Sequence, residues 1–289
     1  MTDPAEPPLR TATEPALPSL RDTVSRHGLD ARKSLGQHFL LDPAVCARVA
    51  QQAGDLSGRH VLEVGPGPGG LTRALLDGPA AHVTAVELDR RAIAALAELS
   101  AAYPGRLTVL EADALRVDAA AITAAPRAVV ANLPYNVGTP LLVNWLREAG
   151  QWESLTLMFQ QEVAARIVAA PDTDDYGRLS VLAQWRCEAR MALRLPPGAF
   201  SPPPKVWSAV VHLRPRPEQP SAALARSMER LTAAAFGQRR KMLRGSLKSL
   251  GQPDALLAEA GIEPTRRAET LAVAEFELLA QLLLRRDPA

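Results

Sequence analysis

"HVLEVGPGPGGLTRALLDG" occupies residues 60–78, and the order of residue types in it points to one fold class. A short apolar, β-branched run comes first, glycines and prolines crowd positions 65–70, and apolar residues at helical spacing follow. A strand that turns through glycine straight into a helix is the first half of a βαβ unit. "HVTAVELD" (82–89) supplies the second strand. Beyond it the spacing predicts a helix over 90–100, strand "LTVLEAD" (107–113), a helical stretch near 117–124, strand "RAVVANLPY" (127–135), a helix over 139–148 and strand "LTLMFQ" (155–160). Strands that alternate with helices of this length imply a mostly parallel, doubly wound sheet of the α/β class.

Upstream, "ARKSLGQHFLLDPAVCARVAQQAG" (31–54) reads as a basic, glycine-containing loop. Asp42-Pro43 then suits a helix N-cap with proline at the first helical position, the helix running to about Gly54. Residues 1–30 hold five prolines with mixed charges and no apolar segment behind a basic start, which predicts a disordered leader and not a secretory signal. Downstream, 161–170 and 176–185 are expected to be helical and 206–215 to be a late strand. "LPPGAFSPPPKV" (195–206) places five prolines around Phe200, too many for a paired central strand, so a rim loop is expected. From about Pro217 apolar spacing in 221–236, 238–250 and 268–285 predicts a purely helical region. The expected organisation is a leader (1–30), a Rossmann-like domain (31–216) and a small helical domain (217–289).

The chain has 289 residues, 47% hydrophobic and 22% charged, which accommodates one sizeable core and a smaller second unit. It contains no apolar run of membrane-spanning length. Its two cysteines, Cys46 and Cys187, stand far apart with no partner at metal spacing, which argues against a disulfide framework or a zinc site and fits a cytoplasmic setting. Net charge is only +2, so any polyanion partner must be sought in the charge distribution. "FGQRRKMLRGSLKSL" (236–250) carries Arg239, Arg240, Lys241, Arg244 and Lys248 without an acidic residue.

Chemistry is concentrated at the predicted strand ends. The turn at Gly65 and Gly67 lets the backbone approach a ligand, although a tight turn alone would also need glycine. Glu87, twenty positions after Gly67, is placed to accept from ribose hydroxyls, which points to a nucleoside-bearing cofactor. A nicotinamide dehydrogenase would show G-x-G-x-x-G and a later proton-handling His or Lys; here Asp113 closes the third strand, suited to accept from the adenine amine, and Asn132 closes the fourth. This order resembles S-adenosylmethionine-dependent methyltransferases. In "VVANLPYN" (129–136) the Asn132 side chain and the Leu133 carbonyl, held extended by Pro134, form two acceptors for an exocyclic amine. Tyr135 offers a flat face to an unstacked base and Phe200 is the candidate for its opposite face.

The motifs together resemble the KsgA-type ribosomal RNA adenine dimethyltransferases. The likeness runs from "KSLGQHFL" (33–40) through "EVGPGPGGLT", "VELD", "EADAL", "NLPYN", "YGRLSV" and "FSPPPKVWSAVV" to "FGQRRKMLRGSL" (236–247). It implies a Rossmann-like methyltransferase fold with a small all-helical C-terminal domain, S-adenosyl-L-methionine as cofactor, and dimethylation of N6 of two adjacent adenosines near the 3′ end of 16S rRNA in the 30S subunit. By the resemblance His38 and Leu40 join Gly65, Glu87, Asp113 and Asn132 in holding the cofactor, and Phe200 matches the second stacking residue. Arg239, Arg240 and Lys241 match its basic stretch; phosphate contact gives that stretch a physical sense, with Arg244 and Lys205 extending it and Arg32 and Lys33 as further candidates. A monomer without metal is expected. The competing readings are an Erm-type enzyme acting on 23S rRNA, a ribosome-assembly factor with incidental catalysis, and methylation of protein glutamine or DNA adenine.

Overall fold

The computed structural model describes residues 17–29, 38–238 and 240–286. Its centre is a seven-stranded sheet in the order β4-β3-β2-β5-β6-β9-β7. The strands are β2 (His60–Val64), β3 (His82–Glu87), β4 (Leu107–Glu111), β5 (Arg127–Asn132), β6 (Ser154–Gln160), β7 (Cys187–Leu195) and β9 (Ser208–Pro215); β1 (Phe39–Leu40) and β8 (Phe200–Ser201) form a separate two-stranded ribbon. β4, β3, β2, β5 and β6 pair in parallel, with Val61 opposite Val83 and Ala128, and Asn132 opposite Met158. β9 runs the other way. Gln161 N–H donates to the Trp207 carbonyl at 2.9 Å while Thr156 and His212 meet at 2.9 Å, so numbers fall along β9 as they rise along β6.

Chain order reverses between β2 and β5. In such sheets that switch opens a crevice at the carboxyl ends of the strands, which determines where a ligand can enter. Central strands read as continuous apolar runs because both faces are covered: Val61, Val83, Ala85 and Ala128 through Val130 are fully buried. α3 (Gly70–Leu76) and α4 (Arg90–Ala102) pack on the sheet and α2 (Pro43–Gln51) packs on α3, while α5 (Gly138–Arg147) follows β5 in the chain. Their starts follow local chemistry. Asp42 accepts from Ala44 N–H at 2.8 Å ahead of Pro43, and Asp89 accepts from Arg91 N–H at 3.0 Å.

Three expectations are corrected. The stretch near 117–124 is a set of turns, because Asp118 takes the Ala121 N–H with both its main-chain and side-chain oxygens and Pro126 stops any continuation. The long helix expected over 238–250 is, among the described residues, turns at 237–238 and 240–241, a one-turn helix and a 3₁₀ turn, since Gly237 closes the preceding helix. Within the expected leader, residues 17–29 hold α1 (Leu20–Arg26), capped by Ser19 and strapped down by Arg73, which donates to the Pro18 carbonyl at 2.6 Å and to Thr23 at 3.2 Å. Leu20, Thr23 and Leu29 are buried, and residues 1–16 lie outside the described residues.

The chain packs as two compact units. The first comprises Met1–Leu142, Gln151–Gln161 and Met191–His212; the second comprises Val143–Gly150, Glu162–Arg190 and Leu213–Ala289. The second unit is mostly helical, with α6 (Gln161–Val168), α7 (Arg178–Arg186), α8 (Ala222–Phe236), α9 (Leu243–Ser246), α10 (Pro253–Glu259) and α11 (Val273–Arg286). "YGRLSV" is part of its core: Tyr176 is fully buried, donates to the Leu271 carbonyl at 2.9 Å, and stands edge-on to Phe236, which stacks on Phe276 at 5.5 Å. Burial of one such ring contributes about 1.5–3 kcal/mol. Residues upstream of 217 therefore belong to this core as well.

Candidate active site

At the switch between β2 and β5 lies a cleft of about 880 Å³, counted out to its open mouth. Its enclosed part is only about 130 Å³, and the rest is open to solvent. The glycine turn forms its floor. Gly65 (φ 69°) and Gly67 (φ 54°) occupy the left-handed region, and a β-carbon at Gly67 would stand 2.7 Å from the Phe39 ring. One at Gly65 would press on Pro134 at 3.3 Å, so the glycine turn and the Asn-Leu-Pro-Tyr segment are in contact across the switch.

Glu87, buried at the end of β3, organises the turn. Its Oε1 accepts from Leu88 and Asp89 N–H at 2.8 and 2.9 Å, and Oε2 accepts from Gly67 N–H at 3.1 Å. With two lone pairs per oxygen, one acceptor position on Oε2 remains for a ligand hydroxyl. Beside it Leu88, 57% exposed at the lip, offers an apolar surface to a planar ring.

On the opposite wall the Asn132 side chain donates through Nδ2 to the His38 carbonyl at 3.1 Å. A carbonyl partner requires the NH₂ group, so the amide orientation is set and Oδ1 becomes its acceptor end. The His38 ring donates from Nδ1 to the Pro202 carbonyl at 2.8 Å and lies 5.3 Å from the Tyr135 ring, tilted by 34°. Tyr135 is tied at its hydroxyl to Ser208 Oγ at 2.8 Å. Burial raises its phenol above the ordinary value, with the Ser208 bond pulling it partway back, so the ring presents a neutral face and no base. The Pro134 carbonyl is taken by Val137 and Gly138 N–H, both at 3.1 Å.

The cleft thus brings together His38, Leu40, Gly65, Gly67, Glu87, Asn132, Leu133, Pro134 and Tyr135. Asp113 does not line it; its Oδ1 accepts from Leu115 N–H at 3.0 Å in the turn after β4. Phe200, expected as the second stacking face, is 5% exposed and sits in the core cluster that also holds Leu40 and Val210. Its position opposite Leu40 in the β1–β8 ribbon turns both side chains inward, which corrects the expectation of a free ring. Sequence reasoning passed over Ser208, Leu88 and Glu63. The first two carry a weak signal, as direct neighbours of a strand start and of Glu87; Glu63 reads as one residue of an apolar strand.

Of the basic candidates, Lys205, Arg240, Lys241 and Arg244 are exposed, and Arg240 and Lys241 lie on a turn, where a helix was expected. Arg239, Arg32 and Lys33 lie outside the described residues.

The charge of the cleft narrows what it can hold. Glu63 and Glu87 both face it, and among the described residues that line it there is no lysine or arginine. A pyrophosphate would meet the Glu87 carboxylate and no cation, whereas a cationic nucleoside fits both the charge and the ribose acceptor. Cleft and sheet order define a Rossmann-like methyltransferase of the S-adenosylmethionine-dependent class. Comparison with known proteins narrows this further: the profile of the family described as "Ribosomal RNA adenine dimethylase" matches residues 28–284, and the chain belongs to that family. It is 65% identical to the ribosomal RNA small subunit methyltransferase A of Gluconobacter oxydans, over 96% of this chain and 91% of that one. With the protein of the same name from Rhodospirillum rubrum it shares 53% identity over 97% of each. Among solved structures, a dimethyladenosine transferase from Plasmodium falciparum has the same fold, with TM-score 0.72, 23% identity and coverage of 86% and 98%. The 23S rRNA methyltransferase ErmE superposes with TM-score 0.64 at 30% identity over 85% of this chain and 99% of that one. The chain is thus an rRNA adenine dimethyltransferase. No helix among the described residues is long and apolar enough to cross a membrane.

Proposed function

We propose that the chain dimethylates N6 of two adjacent adenosines near the 3′ end of 16S rRNA, presented in the 30S subunit or its precursor, with S-adenosylmethionine as donor. The observation that carries this reading is the Asn132 amide, whose NH₂ is spent on the His38 carbonyl so that its oxygen is the end presented to a substrate amine. Support for the small-subunit substrate comes from relatives at 53–65% identity over nearly the whole chain, against 30% for the 23S enzyme.

When bound, the donor supplies a methyl group activated by a sulfonium. Gly65 and Gly67 would leave room for it, Glu87 would hold its ribose, Leu88 would cover its adenine, and Leu40, His38 and Asn132 would close the opposite side. Asp113 is assigned the adenine amine by the motif order alone, its Oδ1 being engaged by the Leu115 N–H. Adenine N6 is a poor nucleophile because its lone pair is delocalised into the ring. Asn132 Oδ1 and the Leu133 carbonyl, the main-chain acceptor left once the Pro134 carbonyl is engaged, grip its two hydrogens and favour the tetrahedral nitrogen. A C–N bond would form as the donor's S–CH₃ bond breaks, these oxygens would stabilise the positive charge that grows on N6, and an N–H proton would then leave to solvent. Tyr135 stacks on the extruded base. Lys205, Arg239, Arg240, Lys241 and Arg244 contact phosphates, and the region from 217 onward serves as the RNA-binding part of a cytoplasmic monomer.

Ser208→Ala frees the Tyr135 ring and is expected to lower kcat/KM about 3–10-fold, the worth of one hydrogen bond, with donor affinity unchanged. Steady-state kinetics with separate donor titration checks it. The function itself is tested by incubating the protein and labelled donor with undermethylated 30S particles and, separately, with bare 23S RNA. Two dimethyladenosines in 16S RNA are expected; label in the 23S arm alone would reject the proposal.

A further inference from the structure

Glu63 stands one residue from the carboxyl end of β2, opposite Ala85 of β3, and is 1% exposed, yet it lines the donor cleft. Its Oε2 is buried without a hydrogen-bond partner, and so is Thr72 Oγ1 on α3. A charged carboxylate in that position is unfavourable unless something compensates for the lost water. The groups that face it do the opposite. Glu87 at the end of β3 adds a like charge and Cys46 on α2 is a neutral thiol held up to about 12 by burial; only Thr72 acts the other way, and since its hydroxyl makes no formed hydrogen bond with the carboxyl the relief is slight. Burial first and Glu87 second raise Glu63 to about 8. Among the described residues no cation offsets them.

What the site lacks is a positive charge, and the donor brings a net one, since its sulfonium and α-ammonium outweigh its single α-carboxylate. We propose that Glu63 belongs to the donor site as a proton-coupled acceptor, protonated when no donor is bound and ionised when the cationic donor enters. This rests on the donor assigned above. In the step, the Glu63 O–H bond breaks, the proton leaves through the cleft mouth to the buffer, and the carboxylate that remains is balanced by the donor's charge. Binding thereby expels one proton, and neutral analogues of the donor lose this compensation.

Proton release is read directly by titrating S-adenosylmethionine into the full-length protein calorimetrically near pH 6.5. The donor's amino group, with an α-amino value of about 7.7–8.0, is then charged both free and bound. Observed enthalpy plotted against the ionisation enthalpy of several buffers has a slope equal to the protons exchanged. Nearly one proton released per donor is expected for the native protein and nearly none for Glu63→Gln, which keeps the shape of the side chain. Native affinity should rise about tenfold per pH unit from about pH 6 and flatten near the Glu63 value. A slope of zero in the native protein, or an unchanged slope in Glu63→Gln, overturns the proton coupling while leaving the donor assignment standing. Absence of any binding heat and of any donor-induced rise in Tm would remove the donor assignment, and the coupling with it. If Glu63→Gln folds poorly, the native slope and its pH dependence decide alone.

Discussion

Asn132→Ala lowers the single-turnover rate of methyl transfer about 10²–10³-fold, the range found when one preorganised partner of a developing charge is removed. Binding to 30S particles is expected to survive, because the residues proposed to contact phosphate lie elsewhere in the chain. Donor affinity changes far less than the rate: Glu87, the glycine turn and Glu63 remain, and the loss is one wall contact together with the tie from Nδ2 to the His38 carbonyl. Rapid-quench transfer of labelled methyl to undermethylated 30S, with donor and particle binding measured in parallel, separates these effects. Asn132→Asp discriminates further. It retains an acceptor oxygen but sets a carboxylate against the His38 carbonyl, so it is expected to be as slow as alanine and to loosen residues 38–40. A full rate in either variant would mean that the amide oxygen does not hold the substrate amine.

Glu87→Gln weakens donor binding on the order of 10²-fold, through a geometric conflict. The carboxylate accepts three backbone N–H groups, two on Oε1 and one on Oε2. An amide has one oxygen. Whichever way it turns, its NH₂ meets an N–H donor, and a charge-assisted bond worth about 1.5–3 kcal/mol is exchanged for a buried donor left without a partner. With the oxygen kept on Leu88 and Asp89, the Gly67 N–H is the one abandoned, and the turn that admits the donor opens. Calorimetric titration of the donor and the Tm of the free protein check this; both should fall. An affinity within threefold of native would show that Glu87 holds neither turn nor ribose.

The parallel sheet, the glycine turn and the strand-end placement of Glu87 and Asn132 were legible because each rests on residues close together in the chain. Apolar runs bounded by glycine mark central strands, and Asp42-Pro43 marks a helix start. β7 was missed for an equally physical reason. It is an edge strand whose Glu188, Arg190 and Arg194 break the apolar pattern, as charges on exposed edges do. The helix expected near 117–124 follows alanine propensity, which lost to the Asp118 turn.

The site was legible as a set of residue types, while its working details were not. That Asn132 points its oxygen outward depends on a carbonyl 94 positions away, and that Tyr135 is held depends on Ser208, 73 positions away. Local order along the chain was enough to name the sheet, the turn and the acceptors, since secondary structure and strand ends answer to near neighbours. Whether Phe200 lies in the core or Glu63 carries a proton answers to burial and to charges brought in from other strands and helices, and burial exists only after the chain has folded.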